Sequence, residues 1–522
     1  MVLVHSKERE EKMENHKNEF TFSNKSIIAY VWRGIIVGVV AGVMVSLFRL
    51  VIEKMAEAVI ESYHAAHENP LLFVPIVGIS LLAVIFVGFL VKSDPDIKGS
   101  GIPHVEGELK GLLLPNWWSI LWKKFLGGTL AISMGFMLGR EGPSIQLGAM
   151  SAKGFAKLIK SSRLEKRVLI ASGAAAGLSA AFNAPIAGLL FVVEEIYHHF
   201  SRLIWITALV ASLVANFISL NIFGLKPVLG MPKAMPFLGL NQYWLLLLLG
   251  LFLGGLGYLY EVVILDFHKL YGVLGRWLHL PAHFYGIILV VMILPIGYYL
   301  PQLLGGGHGL ILALSHQQFP LITILLYFLI RFIVSMFSYG SGLPGGIFLP
   351  ILTLGALAGL LFGQTALQLG LLNQRFLPLF LVLGMAGYFA AISKAPLTGM
   401  ILVTEMVGDL KPLMAIAVVT FVSYLVMDLL NGQPIYEAML DKMAIKHPTD
   451  LVEPTLIELT VGDKIAGKYV RDLKLPDNVL ITTQIHNKKS QVVSGSTRLL
   501  SGATIFLVVN EADTGFVREV LM

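Results

Sequence analysis

Polar positions along the chain are sparse and clustered, and long apolar runs separate them. Ser26–Ile60, Pro70–Val91, Tyr243–Tyr260, Tyr285–Leu300 and Pro320–Phe337 are each at or near the ~20 residues a helix needs to cross a hydrocarbon core of about 30 Å. Such runs recur along most of the length, so the pattern predicts an all-α polytopic membrane protein. Several are broken internally by Gly and Pro, which is tolerated at membrane depth where the freed backbone groups line a cavity. A transport path is the natural use of such breaks. After about Lys446 the pattern changes to polar and β-branched residues. Val479–Ile485 and Thr504–Val509 read there as strands, with Asn487-Lys488-Lys489-Ser490 as a turn.

Composition sharpens this picture. The 522 residues are 56% hydrophobic and only 14% charged, with 52 glycines that point to closely packed helices. A mean hydropathy of +0.75 exceeds what any soluble core requires. The net charge of +6 is no sign of nucleic-acid binding, because Lys and Arg accumulate in cytoplasmic membrane loops. The absence of cysteine excludes disulfides, thiolate metal sites and cysteine nucleophiles. No H-E-x-x-H pair or nucleophile with its base stands out, so a membrane enzyme such as an intramembrane protease is not expected. Most histidines, His198 and His199 among them, read as interfacial. Residues 1–26 lack the apolar core and cleavage site of a signal peptide, and both termini are expected to be cytoplasmic. The expected organisation is a 1–26 cytoplasmic segment, a 27–445 membrane domain with halves of about 27–225 and 243–445, and a small cytoplasmic α/β domain over 446–522.

The two halves follow from an internal repeat. "GREGPSIQLGA" (Gly139–Ala149) and "GIFLPILTLGA" (Gly346–Ala356) share Gly-x-x-x-Pro-x-x-x-Leu-Gly-Ala, and each follows a Ser-Met pair, Ser133-Met134 and Ser335-Met336. Further on, "AAFNAPIAGLLFVVEE" (Ala180–Glu195) matches "AAISKAPLTGMILVTEM" (Ala390–Met406) through Ala-Pro-x-x-Gly and a glutamate, Glu194 or Glu405. Duplicated membrane halves are a signature of transporters whose substrate site lies at the repeat interface, with Gly/Pro breaks at corresponding positions marking it.

Those breaks can bind an anion. Gly139–Pro143 reads as a loop feeding a helix that starts near Glu141, and Gly346–Pro350 reads the same way. The first amides of each helix lack intrahelical partners and sit at the positive end of the helix dipole. A third candidate is "KGSGIP", Lys98–Pro103, where glycines expose amides and Ser100 adds a hydroxyl. Three converging N-termini, in a chain read as having few intramembrane cations, suit a small anion held moderately enough to leave again. Glu141 then sits at the mouth of that site as a protonatable competitor of the anion; a static pair with Arg140 or a fixed cap is the alternative. Glu194 has a repeat mate and reads as structural. Glu195, matched by Met406, is the better proton-transfer candidate.

Together "GSGIP", "GREGP" and "GIFLP" resemble the three signature motifs of the CLC family of chloride channels and proton-coupled chloride transporters, over roughly residues 28–445. The resemblance implies a homodimer in the lipid membrane with one pore per subunit, each built from two inverted halves. It implies that Ser100, the amides of Ile347 and Phe348, and Tyr436 bind chloride. It assigns gating to Glu141 and proton transfer to Glu195. The loops holding the anion would comprise Gly99, Gly101, Ile102 and Pro103; Gly139, Arg140, Gly142 and Pro143; and Gly346, Leu349 and Pro350. Leu349 departs from the alanine common in the family, with little consequence because only its amide could take part. Ser100 is similar to the chloride-selective members rather than the nitrate-preferring ones, and Glu195 favours an antiporter over a passive channel, which stays the alternative.

The tail, "GKYVRDLKLPDNVLITTQI…SGSTRLLSGATIFLVV", resembles the TrkA-C (RCK-C) subdomain of potassium-transport proteins. That implies a dimerising module with a small regulatory ligand, cyclic di-AMP being a candidate, and makes a potassium transporter a distant alternative. No cofactor or metal is expected.

Overall fold

The computed structural model describes residues 24–197, 202–231 and 235–443, and in the C-terminal segment 454–462, 465–473, 475, 479–486, 489–510, 517 and 521. Residues 1–23, His198, His199, Asn487 and Lys488, which the sequence assigned to a terminal segment, an interface and a turn, lie outside the described residues. The chain forms two compact units, one of Met1–Leu109 and Pro115–Met443 and the other of Lys110–Leu114 and Ala444–Met522.

The first half of the membrane unit comprises α1 (Asn24–Glu68), α2 (Phe73–Ser93), α3 (Ile102–Leu109), α4 (Trp117–Ser133), α5 (Glu141–Leu158), α6 (Arg163–Phe182), α7 (Pro185–Phe191) and α8 (Arg202–Phe223). The second comprises α9 (Tyr243–Trp277), α10 (Gly286–Tyr299), α11 (His308–His316), α12 (Leu321–Gly340), α13 (Phe348–Gln368), α14 (Leu377–Ser393), α15 (Pro396–Val407) and α16 (Leu413–Leu429), followed by a short α17 (Ile435–Asp441). Among the described residues, eight helical stretches are long and apolar enough to cross a membrane. The 45 residues of α1 and 35 of α9 span about 68 and 52 Å at 1.5 Å per residue, so both outrun the hydrocarbon core.

Each first-half helix has its counterpart eight places later. α5 packs on α6 as α13 packs on α14, α6 on α8 as α14 on α16, and α1 on α8 as α9 on α16. The crossings are close because glycines meet there: a Cβ on Gly148 would strike the Gly173 carbonyl, and one on Gly355 the Gly384 carbonyl.

The halves are inverted, and two reciprocal contacts show it. Gly139 N–H donates to the Gly346 carbonyl at 2.7 Å, and Gly346 N–H returns the bond to the Gly139 carbonyl at 2.6 Å. The Glu194 carboxylate accepts the Leu397 and Thr398 amides at the start of α15, while Glu405 accepts the Ile186 and Ala187 amides at the start of α7. Equivalent groups exchanging equivalent bonds require a local two-fold relation. Pro185 and Pro396 open these helices without losing a needed donor.

The C-terminal unit carries an antiparallel sheet in the order β1-β4-β2-β3, formed by β1 (Pro454–Thr460), β2 (Leu480–His486), β3 (Lys489–Val492) and β4 (Thr504–Asn510), so Lys489 and Ser490, read from the sequence as turn, are strand residues paired with His486 and Ile485. Alternate residues of β4, Ile505, Leu507 and Val509, are buried with Ile457, Leu459 and Ile481, which is the half-buried pattern of a sheet covered on one face.

Candidate ion-translocation site

The three Gly-rich loops converge. In the first, Asp94 caps the turn Pro95–Ile97, and positive φ at Gly99 (57°) and Gly101 (84°) turns the chain into α3, whose first residues are Ile102 and Pro103. A Cβ on Gly101 would overlap the Gln146 amide of α5. Ser100 lies directly on Gly142, in the first turn of α5 just before Pro143; a Cβ there would sit 2.7 Å from Ser100 Cβ and 2.9 Å from its carbonyl oxygen. Gly346 in turn lies against Gly142, and Gly345 N–H donates to the Gly99 carbonyl at 2.9 Å. The close approach of these backbones explains why glycine occupies each position.

Glu141 is the first residue of α5 and is fully buried. Its carboxylate folds back over Gly139, close to the Leu349 amide and Pro350 at the start of α13. It therefore occupies the positive end of the second-half helix, where an anion would bind. Arg140, directly before it, turns away and donates to Glu53 of α1 at 2.6 Å, so the carboxylate is not locked by its neighbour. Ile347 caps α13 and Phe348 opens it, with the Phe348 ring packed among Phe182, Phe191 and Phe389. Tyr436 in α17 is fully buried edge-on to Phe191, and its hydroxyl takes no hydrogen bond from the described residues. That hydroxyl is within electrostatic reach of both Glu141 and Glu195.

Glu194 and Glu195 sit where α7 continues as a π turn, Val192–Ile196, a rare conformation often found at functional sites. The turn sends the two side chains apart: Glu194 caps α15, while Glu195 is 3% exposed and faces α3 near Glu106.

Several residues at the site escaped the sequence reading. Tyr339 closes over the first loop, its hydroxyl 3.1 Å from where a Gly99 Cβ would stand. Lys124 of α4, fully buried, donates to the carbonyls of Ile97 at 2.9 Å and Gly99 at 2.7 Å. Its second-half counterpart is Arg331 of α12, equally buried, which donates to Leu303, Gly305 and Gly306 carbonyls at 2.9, 2.9 and 2.7 Å. Both cations are fully buried, and loop carbonyls rather than carboxylates accept from them. They also reveal a third repeat pair, because Gly305 (φ 68°) and Gly307 (φ 108°) repeat the turn of Gly99 and Gly101. A Cβ on Gly307 would strike Thr353, as one on Gly101 would strike Gln146. The nearly equal spacing, 331 − 124 = 207 residues for the cations and 305 − 99 = 206 for the two turns, was the available signal.

Two cavities approach this layer. One, of about 600 Å³, reaches Lys98, Gly99, His104 and Tyr339. The other, of about 730 Å³, reaches Arg140, Glu53, Gly305–Gly307 and Leu349. Because the Gly99 and Gly305 loops are mates under the inverted repeat, the cavities lie at opposite ends of the path. Ser100, Glu141 and Tyr436 form the buried layer between them.

Residues 83–428 match the family model described as voltage gated chloride channel. A protein of Vibrio vulnificus strain YJ016 named H(+)/Cl(-) exchange transporter ClcA is 33% identical, over 81% of this chain and 92% of that one. A protein of the same name from Vibrio parahaemolyticus is 34% identical over 81% and 92%. Among solved structures, a slow cyanobacterial Cl-/H+ antiporter superposes with a TM-score of 0.74 at 28% identity, covering 79% of this chain and 97% of that one. A CLC-type fluoride/proton antiporter shares the fold at 23% identity, with a TM-score of 0.62 over 78% and 96%.

Proposed function

Because the chain belongs to the voltage gated chloride channel (CLC) family, and its curated relatives are named H(+)/Cl(-) exchange transporter, we propose that this one exchanges chloride for protons. The observation that carries the reading is the Glu141 carboxylate, buried at the α13 N-terminus beside the Ser100 loop. Chloride and an ionised Glu141 compete for one set of donors: the Ser100 and Tyr436 hydroxyls and the first amides of α13. When a proton arrives the carboxyl loses its attraction for the helix end and leaves, and chloride takes its place. Glu195, buried in the π turn, passes the proton onward. The names of the relatives support exchange over passive conduction.

Purified protein in liposomes, with chloride and proton fluxes recorded together, tests this. A chloride gradient should drive protons uphill. Glu141→Gln should keep chloride flux and lose all proton movement, and Glu195→Gln should lose proton movement while keeping the pH response of the Glu141 gate. Uphill proton movement that survives Glu141→Gln refutes the mechanism, and chloride current without proton movement in the unmodified protein makes it a channel. The working unit is proposed to be a homodimer with one path per subunit. The C-terminal unit is proposed to be a TrkA-C-like regulatory module; calorimetry of the full chain with cyclic di-AMP tests that ligand, and no heat of binding removes it.

A further inference from the structure

The 600 Å³ cavity on the Ser100 side contains three lysines, and among the described residues Lys98 is the one that makes no ion pair. Lys442 and Lys269 share Asp266, at 3.1 and 2.8 Å. Lys98 has no acidic partner among the described residues, and it is exposed toward the cavity two residues before Ser100.

Its position is built rather than incidental. Lys98 N–H closes the turn onto the Pro95 carbonyl at 3.1 Å. The carbonyls on either side of it, from Ile97 and Gly99, are both held by the buried Lys124. Its aliphatic stem runs over Gly342, where a Cβ would come 2.7 Å from Lys98 Cε; any other residue at Gly342 (φ 75°) would push the lysine off the loop that leads into α13. Two backbones of the translocation layer therefore share the placement of this one ammonium group.

On the premise of chloride transport, we propose that Lys98 is the cation that draws chloride into this cavity and sets its affinity from this face. Open to the cavity along its length, it attracts without enclosing the ion, in contrast to the fully buried donors of the layer beyond. At a separation on the order of 10 Å, an exposed unit charge changes the local occupancy of an anion by roughly three- to tenfold at low ionic strength, and 0.15 M salt, with a Debye length of about 8 Å, screens most of that.

The absence of native cysteine allows the test to be made in place. Lys98→Cys is reconstituted, and chloride flux is measured before and after modification with a cationic (trimethylammonium-ethyl) or anionic (sulfonato-ethyl) thiosulfonate, each membrane-impermeant and added to one face. Lys98→Cys should raise the chloride KM about three- to tenfold at low salt for flux entering from one face only. The cationic reagent should restore it, and the anionic reagent should raise it further. Turnover at saturating chloride and the chloride-to-proton ratio should stay unchanged. Equal KM values before and after both reagents, or a change in turnover alone, overturn the proposal while leaving chloride transport intact; absence of any chloride flux in the unmodified protein instead overturns the transport reading it rests on.

Discussion

Replacing Glu194 or Glu405 with alanine removes the carboxylate that caps a helix of the opposite half. Glu194 accepts from the Leu397 amide at 3.2 Å and from both the amide and hydroxyl of Thr398 at 2.7 Å. Glu405 accepts from the Ile186 and Ala187 amides at 3.2 and 2.8 Å. Hydrogen bonds to a charged acceptor contribute about 1.5–3 kcal/mol each, and the helix dipole adds about 0.5 kcal/mol. The outer amides, from Leu397 and Ile186, make the longer bond of each pair at 3.2 Å, so the shorter inner bond carries most of the loss. One inner amide per site is then left without its acceptor, and each variant should lose about 2–3 kcal/mol. Unfolding in mixed micelles by SDS titration, followed through tryptophan fluorescence, measures this. Glu195→Gln is the control: among the described residues the neighbouring carboxylate accepts no backbone amide, so its loss of stability should stay below about 0.5 kcal/mol while its proton flux fails. Were Glu195→Gln to destabilise as much as Glu194→Ala, or Glu405→Ala to be neutral, the division of labour set by the π turn would be wrong.

Gly142→Ala should push Ser100 off the buried layer and raise the chloride KM roughly tenfold or more, read from chloride efflux, because small misplacements of binding groups are costly. Gly139→Ala should place its methyl group where the Glu141 carboxylate now lies, so chloride flux should persist with a flattened pH response in efflux assays. Arg331→Met leaves three carbonyls without their donor and should cost about 3 kcal/mol or more in SDS-titration unfolding.

What the sequence by itself determined is local. Apolar run length, Gly/Pro breaks and the recurrence of "GREGPSIQLGA" as "GIFLPILTLGA" were enough for membrane helices, two halves and helix starts at Glu141 and near Phe348, because helix entry depends on neighbouring residues. The pairing of Glu194 with Glu405 was visible as a repeat, although its meaning as an exchange of caps was not. Lys124, in "LWKKFLGG", is the kind of residue that reads as interfacial; only the fold buries it and brings the Ile97 and Gly99 carbonyls to its ammonium group. The Gly305–Gly307 turn shares too few letters with Gly99–Ser100–Gly101 to be matched by eye, yet backbone conformation and the buried cation behind it make the two equivalent. The path of the Glu141 carboxylate, the π turn that separates Glu194 from Glu195, and the freedom of Lys98 beside two paired lysines depend on contacts between segments tens to hundreds of residues apart. Such contacts leave no periodic trace in the chain, and the tertiary structure alone decided them.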